Sequence, residues 1–333
     1  MRAKGFKFLL GILGGVILST ALYFLVVYLT LGTPIVATYT PDNFIKAKVK
    51  IAQGIDKPKI IIAGGSSVDN GINAQLIQER TGIPTVNLGL WVSLGLEYIF
   101  EQVKRSARHG DTVVIIVEYN LYDWNGNCPY WVDRQLLPII WSRDPDFVRT
   151  RPAEEQINFA LRLEGDFFLS CLRARLHIEK PLGTEAGDFY RDHDACGDEM
   201  LNTEANRHVK APVIGQTPYD PIEELKHGLP KNPKGFPMIA SFQQWAQKAG
   251  VKVVATFPNL SYNAAYDGPV PQETEDVLTQ FYASIQVPVI GHLRDTMYPP
   301  ERFFDTHYHL LHAAALDRTA ILIPQLTPYL PAN

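Results

Sequence analysis

Short apolar runs rich in β-branched residues recur along the chain, and amphipathic stretches separate them. Lys59–Ala63 reads Lys-Ile-Ile-Ile-Ala and ends at Gly64-Gly65, the pattern of a buried strand reaching a tight turn. Thr85–Leu88, ending at Gly89, is a second strand, and Thr112–Val117 is a third. Lys252–Phe257, closed by Pro258, is a fourth, and Val287–Ile290 is a short fifth. Between them the spacing predicts helices over 73–80, ended by Gly82, and over 94–107, with Leu96, Ile99, Phe100 and Val103 on one face. Further helices are predicted over 237–249, ended by Gly250, over 272–284 and over 311–323. Short apolar strands alternating with amphipathic helices imply a three-layer α/β/α domain built on a parallel sheet. Ligands of such sheets bind beyond the carboxyl ends of the strands.

The alternation breaks over 124–235, where Pro, Asp and aromatic residues accumulate around one predicted helix at 154–176. This region reads as an insertion over the sheet, or a lid. The other departure is at the N-terminus. Phe8–Leu31 is a run of 24 residues without a charge, which as a helix spans about 36 Å, slightly more than a bilayer core. Arg2, Lys4 and Lys7 precede it, and no charge follows until Asp42. Basic residues stay on the cytoplasmic side. The expectation is a single-pass signal anchor in the inner (cytoplasmic) membrane, with the main domain periplasmic or extracellular. Tyr23 and Tyr28 then fall near the outer interface. The alternative is a cleaved signal peptide, whose apolar stretch is about 7–15 residues and ends in a small-x-small site. The run here is longer and ends in the bulky Val26-Val27-Tyr28-Leu29-Thr30-Leu31. The chain thus divides into a cytoplasmic tip and anchor (1–34), a tether (35–56) and an α/β domain (57–333).

Composition changes this picture little. Hydrophobic residues make up 46%, enough for a large core, and the net charge of −4 carries no polyanion-binding signature, which argues against nucleic acid as the main partner. Three cysteines are present. Export permits a disulfide, and Cys128 and Cys196, both in loop-like sequence, are the favoured pair, whereas Cys171 sits in an amphipathic stretch and packs as a small apolar residue. Sequence alone does not fix the pairing, and no Cys/His spacing reads as a zinc site.

Two segments carry candidate chemistry. After the first strand comes Gly64-Gly65-Ser66-Ser67-Val68-Asp69-Asn70-Gly71-Ile72. A serine there points its hydroxyl away from the sheet, and a following helix aims N–H groups at the same spot, as a developing oxyanion requires. The plain alternative is a turn using Gly and Ser for their backbone tolerance. Near the C-terminus comes Phe303-Phe304-Asp305-Thr306-His307-Tyr308-His309-Leu310. A serine nucleophile needs a base and an orienting carboxylate, and this segment supplies both. A polar loop, histidines capping a helix, or two metal ligands lacking a third are the alternatives.

Taken together these blocks resemble the SGNH (GDSL-like) hydrolase superfamily, in the divergent membrane-anchored branch that modifies cell-envelope polymers. The resemblance spans about residues 59–120 and 237–325 and implies an SGNH/flavodoxin-like sheet. Gly65-Ser66-Ser67 stands where the family has Gly-Asp-Ser, making Ser67 the implied nucleophile, and Gly71-Ile72 matches the exported branch. Asn87-Leu88-Gly89 implies Gly89 as an oxyanion-hole donor. Glu118-Tyr119-Asn120 implies Asn120 as another, without the usual Gly-x-Asn-Asp form. The family's Asp-x-x-His is altered: three residues separate Asp305 from His309 and one separates it from His307. His309-Leu310 followed by Arg318-Thr319 resembles the His-Leu…Arg-Thr ending of the anchored branch, which favours His309. Asp-Thr-His resembles the related alginate acetyltransferases and keeps His307 as the alternative base.

The resemblance implies a membrane-anchored O-acetyltransferase or esterase acting on an exported polysaccharide, with a multi-spanning membrane acyltransferase as partner and no cofactor or metal. Against it stands a non-catalytic assembly or carbohydrate-binding factor that keeps the fold. A phosphate or nucleotide site at the first turn lacks the Lys of a P-loop, and Gly-x-Gly-x-x-Gly is absent. Trp91, Tyr119, Tyr122 and Trp124 near strand ends suit either sugar stacking or core packing. Asp69 reads as a helix cap or turn residue, Glu118 as a buried group with no assigned role, Arg173, Arg175 and His177 as a solvated face, and Asp192-His193-Asp194 as loop.

Overall fold

The computed structural model describes residues 2–122, 136–179, 187–210 and 220–331. Its centre is a five-stranded parallel sheet. The strands are β1 (Ile60–Gly64), β2 (Thr85–Gly89), β3 (Thr112–Ile116), β4 (Lys252–Thr256) and β6 (Val289–Ile290), ordered β2-β1-β3-β4-β6. A separate parallel pair joins β5 (Leu260–Ser261) to β7 (Met297–Tyr298). The central order is that of flavodoxin-like sheets, whose chain reverses direction between β1 and β3 and leaves a crevice there. Register brings the strand ends level: Gly64 pairs with Gly89 and Ile116, and Thr256 pairs with Ile116 and Ile290.

The strands are buried on both faces, as a sheet covered by helices requires. Ile60, Ile62, Val114, Ile116 and Val254 face one way and pack with Ile77, Leu322 and Leu326 from the helices Ala74–Thr81 and His312–Leu326. Alternation turns Ile61, Ala63, Val113 and Ile115 to the other face, where the helices Leu96–Ser106 and Gly235–Ala249 lie, joined by the stacked rings of Phe100 and Phe242 at 4.3 Å. Asn73 caps the helix Ala74–Thr81 through Leu76 N–H, and Gly82 ends it in the left-handed conformation.

The chain divides into two compact units, 1–42 with 132–184 and 43–131 with 185–333. The sheet belongs to the second. The first unit holds the N-terminal helix Arg2–Thr30, whose residues from Gly5 onward are long and apolar enough to cross a membrane. Against its end Trp141 Nε1 donates to Thr30 Oγ1 at 3.2 Å, and Gly32 N–H donates to Trp141 O at 3.0 Å. The residues read as a tether form a short 3₁₀ turn, Val36–Thr38, and a helix, Tyr39–Gln53. The stretch read as one insertion is shared between the units. Its single helix over 154–176 is two helices, Ala153–Arg162 and Gly165–Arg175, because Leu163 and Glu164 take extended backbone and Leu163 is buried.

Cys196 is a free, buried thiol; Cys128, like Trp124, lies outside the described residues. The Cys196 O accepts from Asn87 N–H at 2.9 Å, so this segment is fastened to β2 by its backbone. Burial and the carboxylates of Asp194, Asp198 and Glu79 push its thiol up to about 12. Cys171 is wholly buried, as a small apolar residue would be.

At the amino end of the sheet Lys59 and Asp111 are both buried, Nζ to Oδ2 at 2.7 Å, and Asp111 also accepts from the N–H groups of Lys59 and Arg108 at 3.0 and 2.8 Å. Breaking such a pair leaves an uncompensated charge. Asp111→Ala is therefore expected to lower the unfolding free energy by about 3–5 kcal/mol, as measured by chemical denaturation. An unchanged midpoint would show that the pair does not hold this edge together.

Candidate functional site

The turn after β1 is shaped by a carboxylate from β3. Gly65 is extended, and Ser66–Asp69 then form a single helical turn. Glu118, two residues past β3, accepts from Gly65 N–H at 3.1 Å and Ser67 N–H at 2.9 Å, one on each oxygen. A Cβ on residue 65 would lie 2.3 Å from Glu118 Oε1, so only glycine admits the carboxylate. Burial raises the pKa of Glu118, and the two N–H bonds oppose that rise. Ser67 is wholly buried; its hydroxyl lies near the Glu118 carboxylate and helps to lower the pKa of that group, but its Oγ completes no hydrogen bond, to Glu118 or to either histidine.

The late loop is fastened to the same turn. Phe303 bridges Leu310, and Phe304 N–H donates to His309 O at 2.7 Å, which closes the loop at its base. Within it His309 Nδ1 and Asp305 Oδ1 are 2.6 Å apart. Two asparagines tie the loop to the Ser67 turn. Asn202 Nδ2 donates to Asn70 O at 3.1 Å and to Leu310 O at 2.9 Å. Asn259, just past β4, donates to Tyr308 O and crowds Gly71, where a Cβ would lie 2.2 Å from Asn259 Oδ1 and 2.4 Å from Ser67 O. The buried Tyr308 hydroxyl feels the charges of Glu224, Tyr119 and Glu118, which add to burial in raising its pKa.

The two histidines differ. Burial and the neighbouring His309 lower His307 to about 4. A base that weak accepts a proton poorly at neutral pH, and the carboxylate of Asp305 lies on the ring of His309. The structure thus joins Asp305 to His309 in a loop fastened beside the turn that carries Ser67, and Ser67 Oγ makes no hydrogen bond to that histidine.

The oxyanion donors expected from the resemblance stand differently. Gly89 N–H donates to Asn87 Oδ1 at 2.9 Å, and Ser67 N–H is held by Glu118. Asn120 lies beyond β3 in the turn Tyr119–Leu121, with its Oδ1 buried and unpartnered. Tyr119 and Tyr122 are core residues, and Trp91 stacks on Phe44 at 5.1 Å.

Sequence reasoning missed a charged cluster beside the turn. Asp69 is no helix cap: it pairs with the wholly buried Lys48, whose Nζ also lies 3.4 Å from Asn87 Oδ1. Burial would raise the Asp69 carboxyl, but Lys48 and His193 hold it below its ordinary range. His193, read as loop, stacks on Phe189 at 4.3 Å, with Nε2 3.6 Å from both Asp69 and Glu199. These three could hold a metal by position, yet the ammonium of Lys48 already supplies the cation on Asp69. Asn87 also donates to Val68 O, Ile72 O and Asp198 Oδ1. Burial and Asp194 push Asp198 up to about 6. A lysine inside an amphipathic helix, 21 residues before its partner, gives no local signal of this.

Comparison with protein-family models finds none that matches the chain, and comparison with curated proteins finds no match.

Glu118→Gln places an NH₂ group against one of two N–H donors. Stranding a buried N–H costs about 1–3 kcal/mol, so the variant should unfold at lower denaturant by that amount; equal stability would mean the carboxylate does not hold the turn. His307 binds its proton less readily folded than unfolded, so its contribution to stability is lost as pH falls from 6.5 towards about 4. His307→Gln should therefore show a smaller drop in melting temperature between pH 7 and pH 4.5 than the parent protein.

Proposed function

We propose that this protein is a membrane-anchored, SGNH-like acyl-transfer enzyme of the cell envelope, acting through Ser67, His309 and Asp305 on an ester of an exported polysaccharide. The observation that carries the reading is the Asp305–His309 pair at 2.6 Å in a loop laced to the Ser67 turn by Asn202 and Asn259. It lies where the strands of a flavodoxin-ordered sheet end.

In this mechanism Asp305 holds His309 Nδ1–H and leaves Nε2 to take the serine proton. Ser67 Oγ attacks the ester carbonyl, the leaving alkoxide departs with the proton from His309, and an acyl-serine remains. Water or a sugar hydroxyl then attacks that ester, giving its proton to His309, which returns it to Ser67. Because Ser67 is wholly buried, substrate reaches it only after covering groups move. The N-terminal apolar helix serves as an uncleaved anchor, with the basic residues before it in the cytoplasm and the α/β unit on the far side. A multi-spanning membrane acyltransferase is the partner that would deliver acyl groups across the bilayer.

A second reading has an observation of its own. The N–H of Ser67, which would serve as an oxyanion donor beside that of Gly89, is held by Glu118, and that of Gly89 by Asn87, as in a fold kept for assembly or carbohydrate binding without catalysis. The two readings part in one measurement on the full-length protein in detergent, the release of nitrophenol from its acetate ester. Ser67→Ala and His309→Asn should each reduce the rate by about 10³-fold or more, and a fluorophosphonate should label the parent but not Ser67→Ala. Equal rates for parent and Ser67→Ala remove the catalytic reading.

A further inference from the structure

The helices of the first compact unit bear apolar residues on faces that no other described residue covers. In Gly165–Arg175 the residues Phe167, Cys171 and Ala174 are buried on one side. On another, Leu169, Leu172 and the following Leu176 are 46%, 53% and 59% exposed at helical spacing. The helix Ala153–Arg162 likewise buries Phe159 and Ala160 and exposes Ile157 and Leu161, at 46% and 58%. A helix apolar on two faces of which only one is covered marks a surface that meets something besides water.

What covers it follows from where it is fastened. Tyr23 in the N-terminal helix donates from its hydroxyl to Ala160 O at 3.1 Å, and its ring lies 6.4 Å from that of Phe168. Tyr23 precedes the end of that helix, Thr30, by seven residues, about 10 Å along the axis. The 26 apolar-segment residues Gly5–Thr30 extend about 39 Å, some 9 Å more than a hydrocarbon core of about 30 Å. Even if all that excess stood outside at the Thr30 end, Tyr23 would be at the boundary of the core. Any other placement puts it deeper, and Ala160 with it.

The charged groups lie at the ends of these helices: Arg173, 47% exposed and 3.5 Å from Glu179, is long enough to reach the headgroup level from beside Leu172. Arg175 Nε donates to Thr33 Oγ1 at 3.1 Å, and its Nη2 to Leu29 O, at the end of the span, where a long basic side chain reaches the headgroup level. Glu164 and Asp166 line a cavity with Thr38 and Pro41, residues past that end. We infer that the helices Ala153–Arg162 and Gly165–Arg175 are a second membrane-contacting element, lying in the outer lipid layer beside the last turns of the N-terminal helix with Leu161, Leu169, Leu172 and Leu176 among the acyl chains. Helices meet the requirement that backbone groups be satisfied internally in lipid. This rests on the N-terminal helix being a span.

The test uses the full-length protein in nanodiscs of a phosphatidylcholine bearing a diazirine in its acyl chain. After irradiation, mass spectrometry should find lipid adducts on residues 165–176 at a yield comparable with those on residues 8–30. The double variant Leu169→Glu, Leu172→Glu should lose the former and keep the latter. Adducts confined to residues 8–30 overturn the inference while leaving the span intact. Protein–protein crosslinks through residues 165–176, in place of lipid adducts, overturn it in favour of a second copy of the chain. Absence of adducts from both segments removes the span itself.

Discussion

A single buried carboxylate sets the geometry on which the rest of the site depends. Glu118 leaves the end of β3, crosses the β1–β3 crevice, and gives one oxygen to Gly65 N–H and the other to Ser67 N–H. Charge-assisted bonds of this kind are about twice as strong as neutral ones, and both ends are out of water. They fix the backbone of the first turn against the third strand, in the crevice where a sheet of this order binds its ligands. They also account for glycine at position 65, where any side chain would strike the carboxylate.

The late loop must then be held against that turn by other means, since 237 residues separate Ser67 from Asp305 along the sequence. Two asparagines do this. Asn202 and Asn259 each donate to the loop backbone and touch the Ser67 turn within a residue or two of Gly71. A third, Asn87, braces the turn from β2, accepting from Gly89 and donating to Val68 and Ile72. Amides suit this work because each carries donors and an acceptor on one rigid plane, so it joins two backbone segments without bringing in a charge. Charge is placed instead in the Lys48–Asp69 pair, where each member offsets the desolvation of the other.

The sheet was legible in the sequence because buried parallel strands are continuous apolar runs, and glycine marks where each stops. Ile60–Gly64, Thr85–Gly89 and Thr112–Ile116 fall within a residue of where the pattern sets them. The helices over 73–80 and 94–107 were equally plain from their spacing. The Asp305–His309 pairing could be anticipated because four residues apart is within reach inside a tight loop. What escaped was every contact made by a polar residue to a partner remote in sequence. Lys48 looks like any exposed lysine of an amphipathic helix, and His193 like any loop histidine; only the fold shows both buried. The role of Glu118 was likewise hidden, because a carboxylate after a strand has no period or spacing that names its partner. The helix expected over 154–176 divides because Leu163 is drawn into the core, a tertiary demand that local periodicity does not record.

The same economy of donors frames what the site can do. An oxyanion forming at Ser67 and the carboxylate of Glu118 compete for one set of N–H groups, and they cannot both hold it. Burial works against the charge of Glu118 and in favour of its neutral form. The hydrogen bonds that keep the turn rigid in the absence of ligand are therefore the interactions that a reacting ester would have to replace. Gly89, whose N–H is held by a neutral amide oxygen, would give up a weaker bond than Ser67 on the same occasion. The exchange at Ser67 N–H, where Glu118 now sits, is thus the one on which the proposed chemistry turns.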